Sequence, residues 1–95
     1  MISEKAYSKI KEFSNANGFY CSKFFDDGGH TIGIRARYGD REVVYSKEDN
    51  AIYIENINVN GNFESFVSEM NLLRVMEMIG NMLQEAIAEA CELKD

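Results

Sequence analysis

The chain reads as a single α+β domain over residues 1–95: an N-terminal helix, a four-stranded antiparallel meander, and a long C-terminal helix packed on one sheet face (α-β-β-β-β-α). Three observations predict this. Apolar residues recur at steps of three and four through the last third of the chain, the period of one helical face. The middle third is rich in β-branched and aromatic residues, cut at intervals by turn-forming Asp, Gly and Asn. The opening residues show the helical spacing again, on a shorter scale.

The first helix is predicted over residues 3–17. Ser3 is a suitable N-cap, Ala6, Tyr7, Ile10 and Phe13 make a narrow apolar stripe, and Asn17-Gly18 stops the helix. Lys5, Lys9 and Lys11 lie mainly off that stripe. So short a stripe places this helix at the margin of the core.

Turn chemistry then divides the strands. Asp26-Asp27-Gly28-Gly29, Gly39-Asp40 and Lys47-Glu48-Asp49-Asn50 separate runs at residues 19–25, 30–38, 41–46 and 51–59. Even-numbered loops fix which residues share a face. With them, Ala36 faces Val43, Ile34 faces Tyr45, Tyr45 faces Ile52 and Val43 faces Ile54. The inner face then holds Phe19, Cys21, Phe25, Ile32, Ile34, Ala36, Val43, Tyr45, Ile52 and Ile54. On the outer face the same register aligns Tyr20, Arg35, Val44 and Tyr53 in one row, with Phe24 nearby. Arg37, Glu42 and Glu55 fill the neighbouring row, where Arg37 opposite Glu42 reads as a cross-strand ion pair. A three-residue first loop would instead turn Tyr20 and Phe24 inward and dissolve this patch. After Tyr53 the alternation slips at Ile57 and Val59, which a bulge near Glu55-Asn56 would restore.

The last element, residues 62–93, carries Phe63, Phe66, Val67, Met70, Leu73, Met76, Ile79, Leu83, Ala86, Ile87 and Ala90 as its core stripe. Asn62 reads as its N-cap, with Glu64 at the positive end of the helix dipole. At roughly 46 Å it would overhang strands of roughly 23 Å. Either it breaks at Gly80-Asn81 or it runs on and packs against a second copy. Leu72, Val75, Met78 and Met82 lie off the stripe and exceed what one sheet face covers, so they are the expected homodimer interface.

Composition bounds the rest. At 45 % hydrophobic and 12 % aromatic the chain is that of a folded domain. It lacks an 18-residue apolar run and an apolar signal-peptide core, which points to the cytoplasm and away from membranes. Cys21 and Cys91 fit reduced, buried positions better than a disulfide framework. The net charge is −6 and it is uneven. Residues 1–47 hold eight basic against six acidic groups, while residues 48–95 hold two against ten. An acidic C-terminal half argues against direct nucleic-acid binding and for a solvated helix face or a surface that docks on a basic, nucleic-acid-binding protein.

Catalytic chemistry has little to stand on. His30 sits at a hairpin edge beside Asp26, Asp27, Gly28 and Gly29, where turn roles account for all five. The aspartates lack the spacing of a calcium loop or zinc site. Gly28 to Gly33 precede a strand, whereas a phosphate loop precedes a helix. The expectation is therefore of no enzyme, cofactor or metal.

What remains is a small protein-binding module. Its candidate partner-binding residues are Tyr20, Phe24, Arg35, Arg37 and Tyr53 on the sheet, which have the aromatic and arginine content of an interface centre, and Glu77, Glu85, Glu89 and Glu92 on the helix. A small acidic α+β domain without catalytic residues looks like the anti-defence inhibitors carried by phages, anti-CRISPR proteins among them. That likeness is one of kind, carried by no motif, and it implies blocking a partner's surface. A different reading of the same sheet residues is a binder of a small anionic ligand or nucleotide, with arginines on phosphate and an aromatic ring on a base. A small enzyme built on His30 or an acidic pair is the third.

Overall fold

The computed structural model describes residues 2–55 and 63–92, with side chains throughout except at 63–69 and 91–92. The elements are α1 (Glu4–Ala16), β1 (Tyr20–Phe25), β2 (Thr31–Tyr38), β3 (Arg41–Ser46), β4 (Ala51–Glu55) and α2 (Phe63–Glu92). The strands form one antiparallel sheet in the order β1-β2-β3-β4. This is the predicted α-β-β-β-β-α arrangement. Among the described residues no helix is long and apolar enough to cross a membrane. The predicted bulge near Glu55-Asn56, the apolar Ile57 and Val59, and the Asn62 cap lie outside the described residues.

Helix α1 begins where its sequence says it should. The Ser3 side chain accepts a hydrogen bond from the Ala6 amide at 3.1 Å and Glu4 occupies the first turn, satisfying one of the helix's unpaired donors. Its buried residues are Ile10 and Ser14. Burying a hydroxyl without a partner is costly. Ser14 avoids this by donating to the Ile10 carbonyl at 2.7 Å.

The two later hairpins keep the predicted register. Tyr38 pairs with Arg41 across a two-residue turn opened by Gly39 at φ 62, and Ser46 pairs with Ala51 across a four-residue one. Ala36 consequently faces Val43 and Ile34 faces Tyr45, which in turn faces Ile52. Phe19, Cys21, Ile34, Ala36, Val43 and Tyr45 are buried together with Ile10 of α1 and with Met76, Ile79, Leu83 and Ala86 of α2. One sheet face is thus the floor of the core and both helices are its roof.

The first hairpin departs from expectation twice, and the departures cancel. The Asp26 amide donates to the His30 carbonyl at 2.9 Å and the Gly29 amide to the Asp26 carbonyl at 3.0 Å. That leaves a three-residue loop with Gly29 at φ 79, the odd length that would turn Tyr20 and Phe24 inward. They stay outside because β2 holds one extra residue: Phe25 pairs with Thr31 but Phe24 with Gly33, so Ile32 is bulged and the alternation is restored. The bulge has two consequences that correct the sequence reading. Tyr20 pairs with Arg37 rather than Arg35, so it stands one row over. Phe25, expected in the core, sits beyond the bulge and is 58 % exposed.

Gly33 makes the bulge possible. A Cβ placed there would fall 2.2 Å from Phe24 Cζ and 2.3 Å from the Tyr45 carbonyl oxygen, so the Phe24 ring occupies the space a side chain would need. A glycine inside a strand pattern often marks such a close approach.

Helix α2 runs unbroken for 30 residues, about 45 Å at 1.5 Å per residue, along the 48 Å long axis of the molecule. It continues through Gly80, which is buried against β4 with Ile52 Cγ2 and Ile54 Cδ1 as nearest neighbours. Its core face is not the whole predicted stripe. Met76, Ile79, Leu83 and Ala86 are buried, and Leu72, Val75 and Met82 pack partly buried against the same core, whereas Met70 is 41 % exposed. Periodicity explains the difference. Met70, Leu73, Met76 and Ile79 follow one another in steps of three, and each such step falls about 60° short of a full turn. The stripe therefore rotates about half a turn between Met70 and Ile79, and only its later part meets the sheet. The side chains of Phe63, Phe66 and Val67 lie outside those described.

Two glycine substitutions test this packing in opposite directions. Gly33→Ala should lower the unfolding free energy by about 1–3 kcal/mol through overpacking, measured by urea titration. At Gly80 the added methyl would meet Ile52 at an ordinary 3.7 Å, so Gly80→Ala should raise stability by roughly 0.5–1 kcal/mol through helix propensity.

Candidate functional site

With both helices on one side, the opposite sheet face is left without a covering element among the described residues. Its rows follow from the register. Tyr20, Arg37, Glu42 and Glu55 form one; Ser22, Arg35, Val44 and Tyr53 the next; Phe24, Gly33, Ser46 and Ala51 the third. Tyr20 is 70 % exposed and Tyr53 is 42 % exposed. The five sheet residues singled out from sequence therefore share this face, Tyr20 beside Arg37 and the others around Arg35.

Arg35 is held from two sides. Its guanidinium carbon lies 5.0 Å from the centre of the Phe24 ring, a cation–π stack made possible by the missing side chain at Gly33. Its Nε lies 3.5 Å from Glu42 Oε2, and Arg37 Nε lies 3.6 Å from the same oxygen. Arg35 Nε is itself buried and makes no hydrogen bond, so its contact with Glu42 is Coulombic. The expected Arg37–Glu42 pair is thus half of a shared arrangement. Glu42 draws in both arginines, and Glu55 stands opposite Glu42 on the edge strand. On the strands two positive and two negative groups balance, and Asp49 beside Tyr53 adds one negative charge. That balance suits a mixed protein interface and disfavours a bare anion site.

Tyr53 is anchored too. Its hydroxyl donates to Asp49 Oδ2 at 3.2 Å. The hydrogen bond to Asp49, followed by that carboxylate's charge, pushes the phenol above its ordinary value of 10.0. Neither Glu42's second arginine nor Asp49's hold on Tyr53 was drawn from the sequence. The diagonal position of Arg35 relative to Glu42 in the predicted register was the available signal for the first.

The helix glutamates lie elsewhere. Glu77, Glu85 and Glu89 are exposed, on the helical layer, across the sheet from the tyrosines. One flat partner cannot cover both sets. Nor do the glutamates form a single row, since Glu77 and Glu85 point about 80° apart around the axis. Glu85 and Glu89 border a groove of about 290 Å³ between the helices, with Lys5 and Lys9 on its α1 wall and Ala6 and Met82 in its lining. Those lysines offset the acidic charge there. The side chain of Glu92 lies outside those described. Of the expected dimer residues, Leu72, Val75 and Met82 turn partly into this chain's own core and Met78 turns outward, 47 % exposed.

A second concavity, bordered by Tyr7, Lys23, Ile34 and Tyr45, has about 50 Å³, well below the several hundred Å³ typical of metabolite sites. Lys23 fills its rim, with its Nζ 4.7 Å from the Tyr7 ring centre and paired to Glu4.

His30 is a turn residue. Asp26 Oδ1 accepts from the backbone amides of Gly28 at 3.0 Å and His30 at 2.8 Å, and stands 3.3 Å from the exposed imidazole Nδ1. Among the described residues no three His, Cys, Asp or Glu side chains cluster as metal ligands.

Compared with known proteins, the chain matches no family model, no curated protein and no solved structure.

Cys21 is a free thiol buried under α1; the side chain of Cys91 lies outside those described. Burial pushes the Cys21 thiol above its ordinary 9.0, against the lowering effects of a Ser14 hydrogen bond and the Lys11 charge. A raised folded value means that its contribution to stability is complete below 9.0 and is lost as pH rises through the folded value. In a Cys91→Ser background, Cys21 should resist a disulfide reagent at about pH 8 until denaturant is added. The urea midpoint should also fall more steeply above about pH 9 than in the same background carrying Cys21→Ala.

Proposed function

We propose that this chain is a non-catalytic protein-interaction module that docks its partner on the open sheet face. The observation that carries this reading is the sheet face, uncovered among the described residues, that bears Tyr20, Phe24, Arg35, Arg37 and Tyr53, its arginines held by Glu42 and Tyr53 by Asp49. Tyrosine and arginine held in fixed rotamers lose little conformational entropy on binding, which is why such residues dominate interface energetics. A platform of this kind acts by occupying a surface. That mode is the one used by inhibitors of the phage anti-defence, anti-CRISPR-like kind, and we assign the chain to it as a cytoplasmic protein. A basic, nucleic-acid-binding protein is the partner class that its net charge of −6 favours through long-range attraction. The charge works as steering, while the platform of matched charges and aromatic rings supplies the contact.

The alternative, a small anionic ligand or nucleotide bound by Arg35 and Arg37 with ring stacking, has the right residue types. It is disfavoured because Glu42 already sits between the two guanidinium groups, where a phosphate would have to displace it.

Affinity capture from the native host, compared between variants, separates these readings. A Tyr20→Ala, Arg37→Ala, Tyr53→Ala triple variant should lose the captured protein, with affinity down at least roughly ten-fold. A variant carrying Glu77→Gln, Glu85→Gln and Glu89→Gln should retain it. The reverse outcome would move docking to α2. Calorimetric binding of ATP or inorganic phosphate that is abolished by Arg35→Gln would establish the ligand reading instead.

A further inference from the structure

The charges of the open sheet face are matched on β2 and β3 and in surplus on the β4 side. Glu42 serves both Arg35 and Arg37, and the register sets Glu55 of the edge strand directly opposite Glu42. Like charges so opposed destabilise a sheet. Glu55 is exposed and has no ion-pair partner among the described residues, so its carboxylate costs the sheet stability without a contact in return. Two residues back along β4, on the same face, Tyr53 is 42 % exposed. Its hydroxyl is tied to Asp49, which fixes the ring between that carboxylate and Glu55. After the hydrogen bond to Asp49, the Asp49 charge and desolvation, the Glu55 charge also raises the Tyr53 phenol, which places Glu55 within electrostatic reach of the ring.

We propose that this corner of the sheet face receives an arginine of the partner protein, its guanidinium laid on the Tyr53 ring and paired with Glu55. The inference rests on the docking reading above and names the partner's chemistry at one point of contact. Charge and shape select that occupant. A ring flanked by carboxylates attracts a cation to its π face. A planar guanidinium stacks on the ring while its fork donates to a carboxylate, a combination that the compact ammonium of lysine lacks. The molecule already contains this combination once, where the Arg35 guanidinium stacks on Phe24 and faces Glu42. Tyr53 and Glu55 repeat the ring and the carboxylate of that trio and leave the arginine to be supplied. An incoming positive charge beside Glu55 also relieves its opposition to Glu42. An acidic side chain would instead meet Glu55 and Asp49 as like charges.

In an NMR titration at low ionic strength, where surface charges are least screened, a blocked Gly-Arg-Gly-Arg-Gly peptide should give saturable shifts centred on the Tyr53 ring and the β4 amides. The lysine counterpart should bind roughly three-fold more weakly, and the glutamate counterpart should leave these signals in place. Glu55→Gln and Tyr53→Leu should each weaken the arginine peptide roughly three-fold, whereas Glu85→Gln should not. Because Glu55 opposes Glu42, Glu55→Gln should also keep or raise the urea midpoint; a lower midpoint would make the carboxylate part of the fold and overturn the inference. Equal binding of the lysine peptide, shifts that survive Glu55→Gln, or shifts centred on Glu85 and Glu89 would overturn it too. Glu55→Arg should lose the captured protein along with the triple sheet-face variant. If Glu55→Arg keeps what the triple variant loses, this inference fails and the docking reading stands; if the triple variant keeps it, both fail.

Discussion

Side-chain parity across the sheet is the constraint on which the rest of this molecule depends. A strand exposes alternate residues to opposite faces, and a slip of one residue exchanges core for surface along its whole length. The three-residue turn at Asp27–Gly29 would cause such a slip in β1. The bulge at Ile32 reverses it, keeping Phe19 and Cys21 under the helices and Tyr20 and Phe24 outside. Gly33 beside the bulge then accepts the Phe24 ring, and Phe24 in turn supports Arg35. One glycine thus links a local backbone irregularity to the arrangement of the outer face.

Layering decides what the surfaces can do. Both helices cover the same side of a narrow sheet, so among the described residues the four strands have one dry face and one wet one. The wet face keeps its aromatic groups because nothing in the fold requires their burial. Its charges are matched internally, Glu42 against Arg35 and Arg37, which lowers the desolvation cost of meeting another protein compared with isolated charges. On the helical side, Lys5 and Lys9 border the same groove as Glu85 and Glu89. The overall acidity of the chain is therefore less concentrated than its sequence distribution indicates.

Helix α2 serves two masters in sequence because its apolar stripe drifts. Where the steps of three end, at Ile79, the stripe locks onto β3 and β4; before that point it has rotated away, and Met70 faces water. Continuity through Gly80 has the same origin. The missing side chain is placed where Ile52 and Ile54 come up against the helix, so tertiary contact supports the backbone at the point where propensity is weakest.

Much of the fold was determined by sequence alone. Period-two alternation, two even turns and capped helical stretches specify element order, the pairing of Ala36 with Val43 and Ile34 with Tyr45, and a sheet face bearing Arg35, Arg37 and Tyr53, because each depends on neighbours close along the chain; Tyr20 and Phe24 join that face only because the odd first loop and the bulge cancel. The isolated Gly33 in a strand pattern was a legible sign of a bulge or close approach, though not of its register. Tertiary structure decided what depends on distant contacts: the exposure of Phe25, the row in which Tyr20 stands, the sharing of Glu42, and which arc of α2 is core. A loop's length and a strand's bulge can each shift parity and together cancel, and a drifting stripe has no inside until a sheet is laid against it.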